Sequence, residues 1–222
     1  MPDLKNPYML YMDFLISLGK GLLLGGSICV LGMVLDKTVC AKSLKKIDQT
    51  LYDKGIYAVK KNMMVVGPLA YAMVNQYFIN PGYTIQWFNV ISMLTIHSVG
   101  YYGVHYGMHK LSFLQPIHEF HHRFEKTLVP SIGNAVSMEE FLLAYMAPFI
   151  FGAYLLRPNE ISFIIPIKII ALLNLLIHCQ EAEQLSFVRW WVSPRNHIDH
   201  HRYRFKHYAA PTFNWDYLIE SY

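Results

Sequence analysis

Charged residues are scarce in this 222-residue sequence and make up only 15% of it. Soluble domains carry about 25%, and here the mean hydropathy is positive, so the composition is that of a membrane protein. Cysteine is scarce too, and its three copies form neither a CxxC-type ligand pair nor a sign of a disulfide framework. Low-complexity tracts and linkers rich in Gly, Ser and Pro are also missing. The length suits one domain, residues 1–222.

Apolar runs organise the chain. They cover residues 14–35, 63–78, 85–104, 141–156 and 161–177. A membrane helix needs about 20 residues, and the first run is long enough although Lys20 interrupts it. The other four pair into two hairpins, around Asn80-Pro81-Gly82 and residues 157–160. The sequence therefore predicts an all-α, polytopic membrane bundle of about four to five helices.

The connector 37–61 is basic and contains seven lysines. Such a patch is typical either of a surface for anionic lipid or nucleic acid, or of a cytoplasmic loop that obeys the positive-inside rule. No nucleic-acid motif accompanies it, so we expect no nucleic-acid partner. If the connector is cytoplasmic, each hairpin returns the chain to that side. Residues 105–122, 178 and 197–201 then form a cytoplasmic cap.

Histidine is the residue that dominates this cap. Nine copies have helical spacing or end an apolar run: His105, His109, His118, His121, His122, His178, His197, His200 and His201. Positions i, i+3 and i+4 share one helix face, and Ser193-Pro194 and Pro116 are typical helix starts. Imidazole ligands suit iron, copper, nickel or zinc rather than calcium or magnesium. Nine ligands are too many for one ion, so the pattern predicts a histidine-rich helical cap with a di-metal site.

Further polar residues lie near these histidines. Glu140 and Asp199 can orient imidazoles by accepting the second ring N–H, or they are solvated carboxylates. Asn174, one turn before His178, can reach a metal through water or make an interhelical hydrogen bond. His97 lies about 12 Å deeper along its helix than His105, so we interpret it as structural or pocket-lining.

A metal site that faces a membrane suggests a lipid substrate. Two irons held by imidazoles can bind and reduce dioxygen, while the protein supplies geometry and a dry channel. Two alternatives of other classes remain. One is a catalytically silent membrane metal-binding or scaffold protein, and the other is a zinc lipid hydrolase that needs no reductant.

The HxxxH, HxxHH and HxxHH boxes resemble those of the membrane-bound fatty acid hydroxylase/sterol desaturase superfamily, and within it the 4-methylsterol monooxygenase branch. The resemblance covers about residues 85–218. It includes the eight-residue gap after His109, the segment 117–122, and the tail 208–216. The chain departs from the branch pattern at Tyr106, at 137–139, at 179–180 and at His207, a further candidate neighbour of the metal site.

The resemblance implies an oxidoreductase of the endoplasmic reticulum membrane with two iron ions and dioxygen as co-substrate. It implies electrons from NAD(P)H through cytochrome b5 or a reductase. The nine histidines match the ligand boxes and the isolated histidine of the family. The implied reaction is hydroxylation or further oxidation of an unactivated C–H bond in a sterol or a fatty acyl chain.

Overall fold

The computed structural model describes residues 7–219, most of which are helical. Within that range β-pairing is limited to two isolated bridges, which confirms the all-α prediction. The predicted domain, residues 1–222, extends beyond this range at both ends. The α-helices are α1 (Pro7–Thr38), α2 (Ala41–Leu44), α3 (Gln49–Lys61), α4 (Gly67–Phe78), α5 (Trp87–Lys110), α6 (Gln115–His122), α7 (Met138–Glu140), α8 (Ala147–Leu156), α9 (Glu160–Ile177), α10 (Pro194–Tyr203) and α11 (Trp215–Ile219).

Three helical stretches are long and apolar enough to cross a membrane: Tyr8–Thr38, Met138–Leu156 and Glu160–Ile177. The second joins α7 to α8 through the π-helical turn Phe141–Met146. The remaining apolar runs are helical as well, because α4 continues α3 through a second π-helical turn and α5 covers the run 85–104 from Trp87 onward. The count of four to five membrane helices stays a prediction, as does the side of the membrane on which each end lies.

Lys20, the charge inside the first apolar run, has a partner within the bundle. Its Nζ lies 2.7 and 2.8 Å from the two carboxylate oxygens of Glu160 on α9. Tyr71 donates its hydroxyl hydrogen to the same carboxylate at 2.7 Å. An ionisable group at membrane depth is costly unless it is paired, so this contact explains how α1 accommodates a lysine.

Close packing of α1 against the chain that leads into α4 depends on a glycine. A Cβ at Gly25 would lie 2.0 Å from the backbone oxygen of Met63. Any other residue would force the two helices apart, as expected where small residues bring membrane helices together.

The two hairpin turns meet at one end of the bundle. Asn80 donates its backbone N–H to Pro158 O at 2.9 Å and its side-chain amide to Arg157 O at 2.8 Å. Asn159 donates its side-chain amide to Thr84 O at 2.6 Å. Helices α5 and α9 start beside these turns, so their histidine-bearing ends lie together at the opposite end.

Candidate metal centre

Four helical segments carry the nine histidines: α5 has two, α6 three, α10 three, and His178 follows the last residue of α9. The helix starts are as predicted. Pro116 lies in the first turn of α6, and the Ser193 side chain accepts a hydrogen bond from the backbone N–H of Asn196 at 3.2 Å, which caps α10. Local sequence thus determines where each of these helices begins, and the start determines which helix face carries the histidines.

The structure divides the histidines into two groups. In each group, one possible ligand atom per residue lies within 4.8 Å of all the others. The five-histidine group is His105, His109, His118, His122 and His200, and the four-histidine group is His121, His178, His197 and His201. Only His109 is partly exposed; the other eight are buried. Helices α6 and α10 each contribute to both groups, which places the two groups side by side.

Ring nitrogens within each group face one another at short distances. Three Nε2 to Nε2 separations are 2.9 Å for His105 and His118, 3.2 Å for His109 and His122, and 2.9 Å for His178 and His197. Two nitrogens held about 2.0–2.1 Å from one ion at right angles would lie about 2.9 Å apart. The spacing therefore fits ligands that share an ion.

The positions of the ring protons of His105 and His118 show why a cation fits between these two residues. His105 donates its Nδ1–H to Tyr208 O at 2.6 Å, and His118 donates its Nδ1–H to the Glu140 carboxylate at 2.7 Å. A neutral imidazole has only one N–H, so both Nε2 atoms point lone pairs at each other across 2.9 Å. Lone pairs at this distance repel unless a positive ion lies between them.

Several other ring nitrogens are buried without a hydrogen-bond partner among the described residues. They are Nε2 of His121 and His200, Nδ1 of His122 and His197, and both nitrogens of His201. A buried polar atom without a partner costs free energy. A cluster of such nitrogens in one place therefore indicates a site for a bound ligand. The residues present therefore fit a pair of metal ions.

Burial also keeps these imidazoles neutral. It lowers the pKa of His178 to about 4. Burial, reinforced by the neighbouring imidazoles, lowers the pKa of His121, His200 and His201 well below the usual value. A metal binds the neutral ring, so the site holds its histidines in the form that coordination requires.

Backbone carbonyls accept hydrogen bonds from several of the rings and so orient them. His178 donates its Nδ1–H to Asn174 O at 2.7 Å, and His200 donates to Lys206 O at 2.8 Å. The carbonyl of Tyr208, which accepts the hydrogen bond from His105, is itself held in place by Asp216. The buried carboxylate of Asp216 accepts hydrogen bonds from Tyr208 N at 3.0 Å and from Ala209 N at 2.7 Å. The sequence alone did not identify these positioning groups. Every residue has a backbone carbonyl, so a carbonyl that orients a ring leaves no pattern in the sequence. Asp216 was included only as part of the tail 208–216, without a role of its own.

The predicted neighbours of the site have different positions. Glu140 is buried against His118, as described above. Asn174 faces the site through its backbone oxygen, while its side chain donates to Gly133 O and to Asn134 Oδ1, both at 3.1 Å. The structure thus places its side chain in an interhelical hydrogen bond, the second of the two alternatives.

The other predicted neighbours make contacts with residues outside both groups. Asp199 pairs with Arg202 at 3.4 Å and with Lys206 at 3.7 Å near the surface. Nδ1 of His207 lies 3.4 Å from the Asn196 side-chain amide nitrogen. His97 belongs to neither group and packs its ring against Phe149, with the ring centroids 4.4 Å apart.

Comparison with known proteins is consistent with this geometry. The family model described as Fatty acid hydroxylase matches residues 90–221, which is more than half of the chain and includes all nine histidines. The chain belongs to the fatty acid hydroxylase family. No curated protein and no solved structure matches it. Membership of the fatty acid hydroxylase family, with the histidine groups and three candidate spans, indicates a membrane metal enzyme of the hydroxylase and desaturase type.

Proposed function

We propose that this protein is a membrane di-iron oxygenase that uses dioxygen and electrons to hydroxylate or further oxidise an unactivated C–H bond of a lipid. One observation carries the proposal: His105 and His118 face each other through Nε2 lone pairs at 2.9 Å in a buried site of this family. The five-histidine group would hold one iron and the four-histidine group the other. Bound iron supplies the redox chemistry that activates dioxygen.

The residues around the ions have two tasks. Glu140 and the carbonyls of Tyr208, Asn174 and Lys206 accept hydrogen bonds from Nδ1–H of four rings, so each of these rings offers Nε2 in a set orientation. Burial of eight of the nine histidines would keep water away from ions bound there. A dry site of fixed geometry protects a reactive oxidant from side reactions.

The ligand number favours iron over zinc. Structural and catalytic zinc sites are almost always tetrahedral, with at most four protein ligands. Five ring nitrogens in the first group exceed that number and suit an ion of higher coordination. This argues against the zinc hydrolase alternative.

The proposed substrate is a sterol of the 4-methylsterol type or a fatty acyl chain. An apolar cavity of about 100 Å³ lies between α1, α4, α8 and α9, and its lining includes Phe141, Tyr145 and Asn174. The backbone oxygen of Asn174 also accepts a hydrogen bond from His178 Nδ1–H, so the cavity adjoins the four-histidine group. Its volume is below the roughly 300–1,000 Å³ of a small-molecule site, so the helices must part to admit a lipid from the bilayer.

We further propose that the protein lies in the endoplasmic reticulum membrane with both histidine groups on the cytoplasmic side. Electrons would come from NAD(P)H through cytochrome b5 or a reductase. The proposal is supported by the position of the basic connector at the histidine end of the bundle. There, Sγ of Cys40 lies 3.1 Å from Sγ of Cys179, the residue that follows His178.

The test uses full-length protein purified in detergent without chelators. We expect about two iron equivalents per chain. We also expect dioxygen uptake that depends on both reductant and lipid, with an oxidised lipid detected by mass spectrometry. A fully active preparation without iron would contradict the proposal. Bound zinc, with lipid hydrolysis that needs no reductant, would favour the zinc hydrolase. Bound iron without dioxygen uptake would favour the catalytically silent metal-binding protein.

A further inference from the structure

Two cysteines that are far apart in the sequence meet at the histidine end of the bundle. Cys40 follows α1 and Cys179 follows α9, and both side chains are buried. Their Sγ atoms lie 3.1 Å apart, although 139 positions separate the two residues. We propose that Cys40 and Cys179 form a reversible disulfide that ties the ends of two candidate membrane spans together.

A second contact holds the same two segments in register. Ser43 donates its hydroxyl hydrogen to Glu181 Oε1 at 2.8 Å and its backbone N–H to the same oxygen at 3.3 Å. Each cysteine also donates its backbone N–H to a carbonyl in the last turn of the helix before it, at 2.9 Å for Cys40 and 3.0 Å for Cys179. Because both backbones are held by their own helices, the sulfur atoms meet without a rearrangement of the chain.

The same residues form a three-ligand group with Glu181, and the distance distinguishes a metal site from a disulfide. Two thiolates bound to one zinc ion at about 2.3 Å with a tetrahedral angle lie about 3.8 Å apart. A disulfide bond is about 2.05 Å long. The observed 3.1 Å is too short for two zinc ligands, and Oε1 of Glu181 already accepts two hydrogen bonds from Ser43. The geometry therefore favours bond formation between the sulfur atoms.

The oxidant is a peroxide such as hydrogen peroxide. One cysteine sulfur attacks a peroxide oxygen, so an S–O bond forms, the O–O bond breaks, and the departing oxygen takes a proton to become water. The second sulfur then attacks the first, so the S–S bond forms, the S–O bond breaks, and a second water leaves. The two thiols lose two electrons and two protons in total. A dithiol reverses the change by exchange.

The disulfide would stabilise the bundle rather than rearrange it. Closing the gap moves the sulfur atoms by about 1 Å in total, while the bond closes a long loop and restricts the unfolded chain. His178 immediately precedes Cys179, so the bond would also hold that segment against the end of α1. The inference does not depend on the metal, since formation of the bond requires only the two sulfur atoms and the peroxide.

The experiment treats the full-length protein in detergent with peroxide and then counts free thiols by alkylation after denaturation. In the wild type we expect the count to fall from three to one, with a peptide that links Cys40 to Cys179 and a mass lower by about 2 Da. The matched control C29S should fall from two free thiols to none, whereas C179S should keep both. The oxidised wild type should unfold at a midpoint about 5 °C higher or more, and dithiothreitol should reverse the shift.

Three results would overturn the inference. The wild type could keep all three thiols, it could gain oxygen on single cysteines without a linked peptide, or it could hold a zinc ion that is released only when Cys40 and Cys179 are alkylated. If C179S does not fold, the linked peptide in the wild type decides the question by itself.

Discussion

The carboxylate of Glu140 lies 2.7 Å from Nδ1 of His118, and both side chains are almost wholly buried. This contact joins the first turn of the span that begins with α7 to the middle histidine box on α6. Because the carboxylate accepts a hydrogen bond from Nδ1–H, His118 presents Nε2 to the other rings of the five-histidine group. The contact gives the site an oriented ligand, and with a cation bound there the ionised carboxylate would supply a negative charge.

The first prediction concerns this carboxylate. In the variant Glu140→Gln the side-chain oxygen still accepts from His118, but the negative charge is lost. We expect iron affinity to fall about 10–100-fold, because partners that orient a ligand have effects of this size. Iron retained against a graded chelator series measures the affinity. Glu139→Gln is the matched control, since its side chain is exposed, and equal iron retention by both variants would contradict the role of Glu140.

A second prediction separates ligands from other buried histidines. Replacing His121, His122, His200 or His201 with Ala should abolish lipid oxidation, because each change removes a metal bond and leaves other nitrogens unpaired. His97→Leu should keep substantial activity and its iron, since His97 is buried but lies outside both groups. Activity and iron content are measured together. If the His97→Leu variant were inactive while the His200→Ala variant was active, the ligand assignment would be wrong.

The third prediction uses the close contact at Gly133. A Cβ there would lie 2.7 Å from Nδ1 of His178, so Gly133→Ala should push the ring away from Asn174 O. We expect the four-histidine group to lose its ion, which reduces iron from about two equivalents to about one. Gly103→Ala is the matched control, because a Cβ there meets nothing within 4 Å. If the Gly133→Ala variant still held two equivalents of iron, His178 would not be needed to hold the ion in the four-histidine group.

The fourth prediction concerns topology. The connector around Lys45 and Lys46 should share a compartment with His118 and His200, because the apolar runs between them come in pairs and the lysines favour the cytoplasm. Accessibility labels at residues 45, 125 and 205 should all report the cytosol. A label at residue 82 or 158 should report the lumen if the hairpins cross the membrane, and the cytosol or no access if they only enter it.

The decisive outcome of this labelling is the relation between residues 125 and 205. If they reported opposite sides, the histidines of α6 and α10 would be separated by the bilayer. The two histidine groups described above could not then exist, and the proposed enzyme would be excluded.

The sequence by itself determined the helices and the faces they present. Helical periodicity is local, so the HxxxH and HxxHH spacings place imidazoles on one face whatever the rest of the chain does. Pro116 and Ser193 likewise start α6 and α10 through contacts within one turn. Composition predicted the apolar helices, because a long run of apolar residues needs no distant partner to be recognised.

Only the tertiary structure decided which of these groups meet. Neighbouring histidines in one box face different groups, as His121 and His122 do, because adjacent residues on a helix point about 100° apart. Glu140 reaches a histidine whereas Asp199 pairs with Arg202, although both are carboxylates near a box. The pairs Lys20–Glu160 and Cys40–Cys179 join residues about 140 positions apart. Such contacts follow from how whole helices pack, and no local periodicity contains that information.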